Sequence, residues 1–329
     1  MLTPIIALVV GFIALALSAD RFTASAADIA DNFGMSQLMI GLTIVAFGTS
    51  APEIIVSINA ALDHSGELAL GNAIGSNIVN TGVVLGVTAL VFPIVTSWAS
   101  IRLEISVLLA VSIIAAVCLW DGQFSQFDGV LLFGSLLAGC GLIIHTKLKE
   151  QRAVAAHNLL DGHKADAVDT AKLPMQIVQF VIYLAILVAS ANVLVWGAKQ
   201  IAAHYGISEL IIGLTIVAIG TSLPELAASI ASALKQQHDM ALGNIIGSNL
   251  FNIGAVLSAA GMIEAFNVPK EALTRDYAVM MVLIALMFVI ALGGYLIKRS
   301  DIIHISRLSG AAFVLCYILY SVVLFQQHV

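Results

Sequence analysis

Gly41–Asn80 reads GLTIVAFGTSAPEIIVSINAALDHSGELALGNAIGSNIVN, and Gly213–Asn252 reads GLTIVAIGTSLPELAASIASALKQQHDMALGNIIGSNLFN. The two stretches align at a constant offset of 172 without a gap, and 24 of the 40 positions are identical. Gly-Thr-Ser-x-Pro-Glu and Gly-Ser-Asn recur in both copies, whereas the turns Asp63–Leu68 and Lys235–Met240 share no residue. Chance similarity between apolar segments does not keep the polar residues best. The chain therefore carries one site twice, and each copy places a glutamate, Glu53 or Glu225, about halfway along a run apolar enough to cross a membrane.

The rest of the chain extends that reading. Hydrophobic residues make up 60% of its 329 positions and charged residues 10%, with a mean hydropathy of +1.02. Apolar runs of about 18 residues or more mark spanning helices, and the weak alternating segments of a membrane β-barrel are absent. The fold class is an all-α integral membrane protein. Ten helices are expected at roughly 3–31, 35–62, 68–92, 103–120, 126–146, 174–204, 207–234, 239–263, 275–297 and 305–325. Residues 1–146 then form one five-helix unit, 147–173 a polar linker and 174–329 a second five-helix unit, with the repeats at 41–80 and 213–252. Five is odd, so the second unit enters the membrane with opposite orientation. Such inverted repeats place substrate sites near the midplane where the units meet.

Charge orients the bundle. Eleven of the 14 Lys and Arg residues fall in connections or helix ends that follow odd-numbered helices. Positive loops stay inside, which places the linker in the cytoplasm and both termini outside. The expected location is the plasma membrane, the inner membrane in a bacterial cell, with the lipid bilayer as partner. No nucleic acid, no obligate protein partner and no cofactor is expected. Cys118, Cys140 and Cys316 lie in apolar runs without ligand spacing, and the eight histidines sit in or near loops. Neither set suits a zinc site or an intramembrane enzyme. The polar residues Arg102, Glu104, Glu209 and Arg275 read as snorkelling or capping groups at helix ends.

A carboxylate near the bilayer centre costs at least about 2.5 kcal/mol, and no Lys or Arg inside either repeat can compensate except Lys235 in its turn. Pro52 and Pro224 precede the glutamates. Proline removes a donor and opens the helix, so carbonyls around Phe47 and Ile219, with Ala46 and Ala218 close by, are expected to lose helical partners. Together with the Thr49, Ser50, Thr221 and Ser222 hydroxyls they make an all-oxygen cluster suited to hard cations such as Ca²⁺. Soft metals are disfavoured. In the third and eighth helices, Asn72, Ser76, Asn77 and Asn80, and likewise Asn244, Ser248, Asn249 and Asn252, line one face. Ser76, Asn80, Ser248 and Asn252 read as lining the site, while Asn72, Asn77, Asn244 and Asn249 serve equally well as hydrogen-bonding glue between helices.

These motifs resemble the α-repeats of the sodium/calcium exchangers, within the calcium/cation antiporter superfamily, and the resemblance is to a short prokaryotic-type member. It implies that Glu53 and Glu225 bind Ca²⁺ and share Na⁺ sites, with the Thr49 and Thr221 carbonyls completing the calcium position. Ser50, Ser248 and the Ala46 carbonyl would form one sodium site; Ser222, Ser76 and the Ala218 carbonyl would form its mate. Asn80 and Asn252 would line the middle, and the first and sixth helices would slide against the other eight. Many relatives carry an aspartate where this chain has Asn252, which counts against potassium co-transport. The expected activity is Na⁺/Ca²⁺ exchange by alternating access, with Ca²⁺ extruded. The rival is a proton/Ca²⁺, or other divalent-cation, exchanger using the same two glutamates.

Overall fold

A computed structural model describes residues 2–33, 35–160, 173–205, 218–298 and 300–326. The described chain is a helical bundle. In order it forms α1 (Leu2–Asn32), α2 (Gln37–Thr49), α3 (Ala51–Leu62), α4 (Gly66–Val91), α5 (Trp98–Leu119) and α6 (Gln126–Leu160). There follow α7 (Leu173–His204), α8 (Ala218–Thr221), α9 (Leu223–Leu234), α10 (His238–Ile263), α11 (Ala272–Leu296) and α12 (Arg307–Gln326). Eight of these are long and apolar enough to cross a membrane, and α2 with α3 makes a ninth, bent span, among the described residues. The seventh expected helix, 207–234, lies partly outside the described residues.

Burial sorts the helices by place. α4 and α10 are largely enclosed, whereas α1, α6, α7, α11 and α12 show most of their apolar surface to the surroundings. One apolar core surrounds α4 and α10 and includes Leu70, Ile78, Leu85, Leu108, Ile246 and Leu257. A second core lies between α1, α7 and the start of α2, where Phe22 and Phe180 have ring centroids 4.8 Å apart. Lipid tails are as apolar as leucine, so close backbone packing rather than burial from water must hold such helices together. The crossing of α2 and α10 fits that rule. A Cβ at Gly41 would stand 2.5 Å from the Met240 carbonyl oxygen, and one at Gly247 would stand 2.3 Å from that of Leu42. Both sites require glycine. In the turn before α10, Lys235 forms an ion pair of 2.9 Å with Asp20 on α1 and bonds Thr23 at 3.1 Å.

Three local features depart from expectation. The helix expected to end at 146 continues to Leu160, so the polar connection begins later than expected. Its Lys147 turns inward, with the ammonium 3.3 Å from Glu104 and 2.7 Å from the Ser100 carbonyl. Glu104 is 1% exposed, so it is one half of a buried ion pair rather than a snorkelling end group. The cause is that extra helix, which returns a cation to the end of α5. Removing one partner of a buried pair leaves an uncompensated charge and costs about 3–5 kcal/mol. Lys147→Ala is therefore expected to lower the melting temperature in detergent markedly, and an unchanged melting temperature would show that the pair holds nothing. Finally, the connections form two small antiparallel ladders. β1 (Ile94–Ser97) pairs with β4 (Ile302–Ile305), and β2 (Gln123–Phe124) pairs with β3 (Phe266–Asn267). Their β-branched and aromatic residues suit strands, but segments this short give no readable alternation.

Candidate functional site

The site begins with two broken helices. Ser50 (φ −86°, ψ 3°) separates α2 from α3 with a 45° bend, and Ser222 (φ −90°, ψ 8°) separates α8 from α9. Each break falls two residues before its proline, the position where the missing N–H and ring bulk interrupt the hydrogen-bond ladder. Pro52 and Pro224 thus sit in the first turns of α3 and α9, where a missing N–H costs nothing. Glu53 and Glu225 occupy the same first turns. The positive end of the helix dipole favours a carboxylate there, a benefit the repeat pattern alone does not reveal.

The breaks turn the two halves toward each other. Glu53 and Glu225 are each 1% exposed, and they lie near enough to repel one another. Ser50 donates across to Glu225 Oε1 at 3.1 Å. Thr49 also approaches Glu225, and Thr221 approaches Glu53, so each glutamate is met by the hydroxyls of the opposite repeat. Even so, Glu225 Oε2 and both Glu53 carboxylate oxygens lack a well-formed hydrogen bond. The same holds for Ser222 Oγ, Ser248 Oγ and both amide atoms of Asn80 and Asn252, all in buried side chains. Ser76 is buried on the same helix as Asn80. An unsatisfied buried polar atom costs about 1–3 kcal/mol, so a concentration of them beside two carboxylates suits a cation rather than a packed core.

Not every sequence expectation holds in detail. The Ala46 carbonyl keeps the Ser50 N–H at 2.9 Å and takes the Thr49 hydroxyl at 3.3 Å, and the Ile219 carbonyl accepts the Ser222 N–H at 3.2 Å. Neither is freed: the Ala46 carbonyl keeps its ordinary i+4 partner, and the turn at Ile219 tightens to an i+3 bond. Ala218 begins α8, and its side chain lies outside what is described. The glue residues prove specific: Asn72 donates to the Glu53 carbonyl (3.1 Å) and Ser57 Oγ (3.1 Å), and Asn244 to the Glu225 carbonyl (3.3 Å) and Ser229 Oγ (2.9 Å). Asn249 bonds Thr81, and Asn77 bonds the Met280 sulfur. Wholly unforeseen are the π-wound turns Asn80–Leu85 and Asn252–Leu257, which begin at equivalent asparagines. π-Turns inside α-helices often mark functional positions; the exact recurrence of Asn at their start was the available signal. Among the described residues no three His, Cys, Asp or Glu side chains cluster as a metal centre.

Two buried carboxylates inside a multi-pass bundle, one of them bonded by a hydroxyl of the opposite repeat, suit a transported ion. The class is a membrane cation transporter. The chain belongs to the sodium/calcium exchanger family, because the family model for the sodium/calcium exchanger protein matches residues 3–143 and 175–326. It is similar to CaxA of Alkalimonas amylolytica, with 40% identity over 99% of this chain and 100% of that one. Sodium/calcium exchanger MaX1 of Methanosarcina acetivorans is 28% identical, with 97% of each chain covered. Among solved structures, that of the sodium-calcium exchanger NCX_Mj superposes with a TM-score of 0.81 at 31% identity, covering 98% of this chain and 99% of that one. Membership makes this chain a multi-pass cation/Ca²⁺ antiporter.

Proposed function

We propose that the chain exchanges Na⁺ for Ca²⁺ across the plasma membrane by alternating access, Na⁺ entering from outside and Ca²⁺ leaving the cytoplasm. The observation that carries this reading is the meeting of Ser50 with Glu225 across the repeats, beside carboxylate, hydroxyl and amide groups that the protein leaves unsatisfied. Unit charges about 6 Å apart in an effective dielectric near 20 repel by about 3 kcal/mol, so an empty site resists closure. One Ca²⁺ cancels both charges, and two or more Na⁺ do likewise. Because both species use the same oxygens they compete, which yields exchange rather than leak. If three Na⁺ bind, one net positive charge enters per cycle.

The ligand set is Glu53 and Glu225 with the Thr49 and Thr221 carbonyls for Ca²⁺. Ser50, Ser248 and the Ala46 carbonyl serve one Na⁺, Ser222, Ser76 and the Ala218 carbonyl the other, and Asn80 and Asn252 line the middle. The architecture is ten helices in two inverted five-helix units, 1–146 and 174–329, joined by a cytoplasmic linker with both termini outside. The pairing of β1 with β4 and of β2 with β3 supports inversion, since each ladder joins a loop of one unit to a loop of the other. Reconstituted liposomes with Na⁺, K⁺ and pH varied independently test the coupling. Uptake of ⁴⁵Ca²⁺ is expected to follow an opposed Na⁺ gradient and to ignore K⁺. Uptake that follows pH instead would assign proton exchange to the same glutamates.

A further inference from the structure

We infer that Asn244, and its counterpart Asn72, are positioning residues that set the cation affinity of the site without touching the ion. The inference rests on the Ca²⁺-binding reading above and extends it to residues that reading does not use. Glu225 lies in the first turn of α9, and its carbonyl there is the ordinary acceptor for the N–H of Ser229 one turn on. Asn244 on α10 adds a second donor to that carbonyl at 3.3 Å and spends its other N–H on Ser229 Oγ at 2.9 Å. Two anchors four residues apart fix α9 both along and around its axis against α10. Asn72 repeats the arrangement on Glu53 and Ser57 at 3.1 Å each.

Asn244 does one thing more. Its side-chain oxygen lies 3.3 Å from the Thr49 hydroxyl, which shares its one proton among Asn244 and the Val45 (3.2 Å) and Ala46 (3.3 Å) carbonyls. Thr49 is the neighbour of Ser50, which donates to the Glu225 carboxylate at 3.1 Å. The contacts close a ring: Glu225 carboxylate, Ser50, Thr49, Asn244, Glu225 carbonyl. Through that ring the glutamate of the second repeat is held at a set position relative to the first. Asn244 is 1% exposed, so these bonds are shielded from bulk solvent. The asparagine thereby determines how far the Glu225 carboxylate stands from the oxygens of the opposite repeat, and so how well a cation fits between them.

The test is Ca²⁺ binding to the purified full chain in detergent, read by ⁴⁵Ca²⁺ equilibrium binding, with the melting temperature measured in parallel. Asn244→Ala is expected to weaken Ca²⁺ binding about tenfold, equivalent to about 1.4 kcal/mol, and Asn72→Ala about fivefold. Tyr277→Phe is the control, because it deletes a buried hydrogen bond to the Ser112 carbonyl in the packing of α11 on α5. It is expected to lower the melting temperature while leaving Ca²⁺ affinity unchanged. Asn244→Ser, whose side chain is too short to close the ring, gives the same weakening should the alanine variant not purify. Asparagine variants that lose only thermal stability and bind Ca²⁺ like the parent protein would overturn the inference. Failure of the parent protein to bind Ca²⁺ would instead overturn the exchange reading on which it rests.

Discussion

Glu53→Gln and Glu225→Gln are each expected to abolish Na⁺-driven ⁴⁵Ca²⁺ flux while making the ion-free protein more stable. The two effects have one cause. Both carboxylates are buried, with little of their charge met by hydrogen bonds, and they repel one another. Glutamine keeps the shape and removes one of the two charges, relieving their mutual repulsion and the burial of one carboxylate. The same change removes half of the charge that a divalent cation must neutralise. Saturating Ca²⁺ at a hundred times its dissociation constant stabilises a binding protein by about 2.7 kcal/mol, so Ca²⁺ is expected to raise the melting temperature of the parent protein and not that of either variant. Melting curves with and without Ca²⁺, paired with flux in liposomes, check both halves. A glutamine variant that transports at a substantial fraction of the parent rate would refute the assignment.

Gly247→Val is expected to prevent folding of the bundle. The Cβ alone would stand 2.3 Å from the Leu42 carbonyl oxygen and 2.6 Å from the Ala46 Cβ, and backbone cannot give way as a flexible side chain can. Separating α2 from α10 would also pull Thr49 from Asn244 and Ser50 from Glu225. The measurement is the yield of monodisperse protein in detergent, expected to fall to background. Gly71→Ala, where a Cβ meets nothing within 4 Å among the described residues, is the contrasting substitution and is expected to be mild.

Much of this was legible because duplication and burial leave strong marks on a sequence. A repeat whose polar residues persist while its turns drift locates the site. Apolar runs locate most of the described helices to within a few residues, the overrun from 146 to Leu160 being the exception. The breaks at Ser50 and Ser222 followed from Pro52 and Pro224, since proline acts locally whatever surrounds it. What a local pattern does not show depends on partners distant in sequence. Glu104 looks like an end group until Lys147 arrives from another helix. The ladders β1–β4 and β2–β3 join loops that no local pattern connects. Asn72 and Asn244 could not be told from simple helix glue, because their meaning lies in which carbonyl they reach. The π-turns at Asn80 and Asn252 arise from packing at the centre of the bundle, and a 3.6-residue period carries no trace of them.

Crystals of the full chain grown with Ca²⁺ and measured for anomalous scattering address the central claim most directly. The expected result is a single Ca²⁺ between the repeats, with oxygens of both Glu53 and Glu225 at about 2.3–2.6 Å. A cation held by one glutamate alone, or bound away from both while they pack apart, would contradict it.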